Sequence, residues 1–283
     1  MNEKMLSVKL PKGAKYQRVI VTEGSDEVQI VYSTEELIAK RNEIPKPEPL
    51  IGGKDVYQEY DVPYWYCKIK GGRDTFMHLY MKDLTYKDLL YDAEGRRRVF
   101  NTYREWLFRE NCMEALKHKP KEGFRWLPVY EVTRVSLYNL ELQVTRTDGN
   151  EAVLEFPEFP VQEWERRLKS YSPENESGMC SKNTYFLLLL RWLKDGIATL
   201  EELADDSTKL GNYANNLTGH GFRERTGERR FGGLYSFVGN TGKIVKSANG
   251  YLYMGGSCIM DGNVNPVSQM MILVDSRDFA PKG

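Results

Sequence analysis

The chain has 283 residues, 41% of them hydrophobic, and its 40 basic residues balance 40 acidic ones. That is enough apolar material for a core of one large or two ordinary domains. A net charge of zero excludes a global field that would draw the protein to DNA, RNA or an anionic membrane, so such binding has to come from a local patch.

The first residues, MNEKMLSVKLPKGAKYQ, lack the apolar run of a secretory signal, and the longest apolar run, Phe186 to Leu190, is too short to span a bilayer. We therefore expect a cytoplasmic protein with no membrane partner. Cys67, Cys112, Cys180 and Cys258 are far apart and form no CxxC pair, and only His78, His118 and His220 accompany them. Separate reduced thiols follow, with no metal site and no cofactor. Eighteen Tyr, 11 Phe and 5 Trp make 12% of the chain aromatic, which suits half-buried sheets and binding surfaces alike.

Leu6 to Leu10, Tyr16 to Glu23 and Glu27 to Ser33 read as strands, the last two joined by a turn at Gly24 to Glu27. Thr34 caps a helix, TEELIAKRN, and IPKPEPLIGG then places prolines at alternate positions, which favours an extended linker. DVPYWYCKIKGG is an aromatic strand. A helix follows GRRR at Arg96 to Arg98, with Val99, Tyr103, Trp106, Leu107 and Cys112 as its buried stripe and the arginines as a solvated start or a phosphate contact. Leu140, Leu142 and Val144 alternate with polar residues before Asp148-Gly149, the signature of a hairpin. A short helix around Trp164 to Lys169 precedes the polar loop Ser172 to Gly178.

Then come NTYFLLLLRWLKDG, a helix capped by Asn183 or Thr184 and stopped at Gly196, and TLEELADD, with a capping box between Thr199 and Glu202. KLGNYANNL reads as a third, weaker helix, and YSFV, KIVK, YLYM and MMILVD as strands. The expected fold is mixed α+β, strand-rich, with a C-terminal helical segment leading into a small antiparallel sheet. Soft boundaries divide it into 1–45, 54–171 and 179–283.

Helix, helix, turn, helix and a basic Gly-bounded hairpin is the order of a winged helix. In that alternative, spanning 183–238, Arg223, Arg225, Arg229 and Arg230 form the wing, and Lys209, Asn212, Tyr213, Asn215 and Asn216 read bases. Against it, Ser181 to Val238 carries eight basic and seven acidic residues, a poor footprint for phosphate binding, and Glu224 and Glu228 can pair the wing arginines across strands. GNTGKIVKS fails as a phosphate loop, because Phe237 and Ile244 stand where Gly and Ser or Thr are required. Neither Cys180 nor Cys258 carries an activating signature, and Asp205-Asp206, Glu155 and Glu158 form no convergent carboxylate pair.

GFRERTGERRFGGLYSFVGNTGKIV, with NVNP at Asn263 to Pro266, resembles the Gly-, Asn- and aromatic-rich C-terminal half of C-type-lectin-like and formylglycine-generating-enzyme-like domains. The resemblance covers about a fifth of the chain and lacks the Trp-Ser-Ser core, since no Trp follows Trp192. It carries over no residue and no activity, and implies only that Gly233 to Val274 is an irregular β module. With no catalytic motif, we expect a non-catalytic binding or assembly protein, of the kind phages and mobile elements carry, in the cytoplasm or in a virion. It would act through aromatic and arginine surfaces on a protein partner or on itself. A nucleic-acid binder and an enzyme of unfamiliar type are the alternatives.

Overall fold

A computed structural model describes residues 15–21, 28–33, 43–59, 61–130, 133–134, 142–143, 160–216, 229–240 and 242–272. The fold is α+β. Strands β1 (Lys15–Val21) and β2 (Val28–Ser33) pair antiparallel, as their β-branched residues favour. Residues 45–50 have no regular structure, as the alternate prolines require, and the segment is held to the sheet where Trp65 Nε1 donates to the Ile44 carbonyl at 3.1 Å. The helix expected from Thr34 and the strand at Leu6 to Leu10 fall outside the described residues.

Four antiparallel strands follow in the order β3 (Val56–Gln58), β4 (Trp65–Ile69), β5 (Asp74–Tyr80) and β6 (Phe124–Pro128). Between β5 and β6 lie α1 (Tyr86–Leu90) and α2 (Tyr103–Lys117). Capping boxes begin both helices, Thr85 with Asp88 and Thr102 with Glu105. Strands β7 (Thr133–Arg134) and β8 (Leu142–Gln143) pair with each other, so Leu142 does lie in a strand. The Asp148-Gly149 turn is outside the described residues.

Beyond α3 (Val161–Tyr171), α4 (Lys182–Lys194) is the central helix: every residue from Tyr185 to Leu193 is buried. An all-round apolar helix has to be surrounded. Met77 and Leu79 of β5, with Met81 just beyond it, meet it from the sheet; Phe108, Cys112, Ala115 and Leu116 meet it from α2. Its cap is Ser181, whose hydroxyl accepts from Thr184 N at 3.1 Å, rather than Asn183 or Thr184. Helix α5 (Leu200–Ala204) begins with the Thr199–Glu202 capping box read from the sequence.

The C-terminal part is irregular. Two-residue strands β9 (Arg230–Phe231) and β10 (Leu234–Tyr235) form a tight hairpin, and β11 (Lys243–Ser247), β12 (Gly250–Met254) and β13 (Met270–Ile272) form a small antiparallel sheet. YSFV therefore stops being a strand at Tyr235; residues 236–240 turn instead. One hydrophobic cluster runs from Ile44 and Tyr64 through Phe186 to Val267, crossing the loop at Ser172 to Gly178. Among the described residues no helix is long and apolar enough to cross a membrane.

A buried ion network fixes α4 to the sheet. Arg191 grips Asp195 with two nitrogens at 2.7 and 2.8 Å and reaches both Asp83 oxygens at 2.9 Å, while Tyr64 donates to Asp195 at 3.0 Å. Lys194 shares Asp83 at 2.8 Å. Burial opposes the charge on Arg191, but Asp195, Tyr64 and Asp83 outweigh it and hold the guanidinium ionised well beyond the ordinary arginine range.

Candidate functional site

The expected base-reading residues do not share a helix face. Within its described residues KLGNYANNL forms a single 3-10 turn, Thr208–Leu210, so the third helix is corrected to two turns, the second closed where Asn216 N donates to the Tyr213 carbonyl at 3.1 Å. The cause is tertiary: at Gly211 a Cβ would stand 2.1 Å from the Val238 carbonyl oxygen, and this close approach outweighs a weak helical preference. Lys209 and Asn215 are exposed, whereas Asn212 and Tyr213 are buried. Asn212 bonds Asn240 at 3.0 Å, Asn215 bonds Thr208 and Gly262, and Asn216 donates to the Gly211 carbonyl at 2.7 Å. These amides hold the β module together.

Of the four wing arginines, Arg223 and Arg225 lie outside the described residues. Arg229 is half-buried, and its carbonyl accepts Ser236 N at 2.7 Å. Arg230 turns inward. Its guanidinium contacts Asp61 at 2.7 Å, Glu59 at 2.8 Å and the Tyr66 hydroxyl at 2.9 Å, and lies over the rings of Tyr66 and Tyr235. Burial works against this charge, yet Tyr66, Asp61 and Glu59 keep it firmly ionised, and burial in turn pushes the Tyr66 hydroxyl far above the usual phenol range.

The turn next to Arg230 is shaped by glycine. Gly232 has φ +55° and accepts from Trp192 Nε1 at 3.0 Å; a Cβ there would sit 2.2 Å from the indole. Tyr235 N donates to the Val129 carbonyl and its ring stacks on Tyr130 at 4.9 Å, so the hairpin hangs from the end of β6. The base of the arginine-rich stretch is thus a clamp between sheet and central helix. Arg230→Gln is expected to destabilise the fold by about 1–3 kcal/mol, the cost of leaving the buried Tyr66 hydroxyl and the partly exposed Glu59 and Asp61 carboxylates without their charged partner, measured by urea unfolding. A variant as stable as wild type but weaker on DNA would instead make Arg230 a phosphate contact.

Among the described residues, burial suppresses rather than activates three thiols and the one enclosed imidazole. Burial raises the Cys67 and Cys112 thiols and pushes Cys180 to about 12, which keeps all three protonated at neutral pH. His78 is 2% exposed, and neither ring nitrogen has a hydrogen-bond partner among the described residues. It sits among Phe124 and Trp126, each with centroids 5.0 Å away, and Tyr80. Burial lowers its pKa to about 4, so it is a neutral ring at pH 7. Of the GRRR run, Arg96 is held by Asp92 at 2.8 Å and Glu94 at 3.0 Å within its own turn.

The surface feature that stands out is on α2. The stripe expected from Val99, Tyr103, Trp106, Leu107 and Cys112 is corrected: only Cys112 is buried, and the core side is Phe108, Cys112, Ala115 and Leu116. Tyr103 is 73% exposed, Trp106 45% and Val99 68%, and the two rings stack with centroids 5.8 Å apart at 25°. Beneath them, Arg104 donates to the carbonyls of Asn263 and Val264 at 2.5 and 3.0 Å, and Thr102 to Asp205 at 2.9 Å, so the first turn of α2 is firmly seated. The signal for this register was the spacing 108, 112, 115, 116, which competes with the aromatic spacing and continues to the helix end. Comparison with protein-family models, curated proteins and solved structures gives no match.

Proposed function

We propose that this is a non-catalytic binding or assembly protein that engages protein through the exposed aromatic face of α2. The observation that carries this reading is the stacked Tyr103–Trp106 pair, exposed on a helix whose opposite side is locked into the core. Large rings left in water at a rigid position are characteristic of interface anchors, since Tyr and Trp bring contact area with little side-chain entropy to lose. The raised thiols are not thiolate nucleophiles at neutral pH, and His78, enclosed and with its pKa lowered to about 4, is too weak a base for general-base work, which favours binding over chemistry.

A photo-crosslinking residue, p-benzoylphenylalanine, placed at Tyr103 in living cells tests this. We expect a discrete protein adduct from position 103 and none from the same residue at exposed Arg125. Equal labelling at both positions, or adducts only with nucleic acid, would count against a protein-docking face.

A further inference from the structure

Helix α2 carries a line of residues on its outer side at alternating spacings of three and four: Tyr103, Trp106, Glu110, Met113 and Lys117. That spacing keeps a single seam facing one way along a helix. The two ends of the seam differ. The N-terminal end is aromatic and exposed, whereas the C-terminal end has Met113, half-buried at the margin of the core, and the exposed Lys117 ammonium, which lies 3.3 Å from the likewise solvent-facing Glu114 and can swing from it to a partner.

Aromatic faces attract ammonium groups and thioethers, so the two ends complement each other chemically. A straight helix holds Tyr103 and Lys117 about 21 Å apart, so they cannot meet within one chain. A second helix laid antiparallel brings a Lys117 onto Tyr103 and a Met113 onto Trp106, and twofold symmetry makes each contact twice. Antiparallel helices also align their dipoles favourably. At the centre the two Glu110 carboxylates approach each other, each already bonded by its neighbour Arg109 at 2.7 Å. The zero net charge of the chain leaves no long-range repulsion between copies.

We infer that the aromatic face of α2 is a self-association surface, covered by the antiparallel α2 of a second copy of this chain. This rests on the docking role proposed above and names its partner. Tyr and Trp side chains carry about 150–250 Å² each, so the seam falls below the roughly 1,200 Å² of a standard interface, in the range of weak, reversible contacts.

Sedimentation velocity of the full chain, from low micromolar to several hundred micromolar, tests it. We expect a reversible monomer–dimer equilibrium in the wild type that Trp106→Ser weakens by roughly tenfold or more. Lys117→Glu is expected to weaken it similarly, because it sets a carboxylate against the partner's aromatic end; a parallel dimer would not respond. Both changes are at exposed or half-exposed side chains, and thermal melts establish that each variant is folded. A wild type that stays monomeric throughout, or a dimer indifferent to Trp106→Ser, overturns the inference. A monomeric wild type whose position 103 still captures a different protein overturns self-association while leaving the docking role standing; the absence of both dimer and adduct removes both.

Discussion

Arg191→Met is expected to lower the unfolding free energy by about 3–5 kcal/mol, among the largest effects of any single change, because it breaks a buried ion pair from one side. Arg191 and Asp195 have side chains only 2% and 3% exposed, and Tyr64, the third member, is fully buried. Methionine fills the space of the aliphatic stem but leaves the Asp195 carboxylate enclosed, with the Tyr64 hydroxyl donating to it and the paired guanidinium gone. Asp83 fares better, since Lys194 still holds it at 2.8 Å. The combined variant Arg191→Met, Asp195→Leu and Tyr64→Phe is expected to recover most of the loss, because apolar groups of similar volume spare the desolvation of the whole set. Urea unfolding measures both. A single variant within about 1 kcal/mol of wild type would mean that water already reaches Asp195 and that the network is not sealed.

His78 makes stability depend on acidity. Unfolded, its ring titrates near 6.5; folded, burial among Phe124, Trp126 and Tyr80 holds it near 4. Between those values the unfolded chain binds the proton and the folded chain does not, so stability falls as the pH drops from about 6.5 and the loss levels off below about 4. A displacement of that size corresponds to about 3 kcal/mol in total. His78→Phe keeps a flat ring of comparable size and removes the titration, so the wild type is expected to lose stability relative to the variant on going from neutral pH to pH near 4. Denaturant midpoints for both proteins across that range supply the comparison. Parallel pH curves would show that His78 finds a proton acceptor in the folded state.

The elements legible in the sequence were those set by local chemistry. Thr199 with Glu202, the apolar run of α4, the β-branched KIVK strand and the Tyr-rich YLYM strand each carry their own signal within a few residues. What escaped was set by distant partners. Nothing near Arg230 announces that it will be claimed by Glu59 and Asp61, residues far upstream in the connection between β3 and β4. Nothing in KLGNYANNL reveals that the Val238 backbone will press against Gly211. On α2 the local signal was ambiguous, since two apolar spacings overlap on one helix, and only the position of α4 decides which of them becomes the core side. The face proposed as a docking surface was therefore visible as residues but assigned to the wrong side.

The placement of α4 also bears on how the chain is made. The sheet that it covers is fully synthesised by Pro128, yet the helix begins at Lys182 and the β module that closes over it extends to Ile272. At about 5–20 residues per second, the ribosome leaves Met77, Leu79 and Leu127 without their apolar cover for on the order of several seconds. During that interval the nascent chain presents a greasy sheet to its surroundings, so its yield is expected to depend on chaperone capacity and on elongation speed between codons 129 and 272. Slow codons before α4 would prolong the exposure, whereas slow codons after Ile272 would cost nothing.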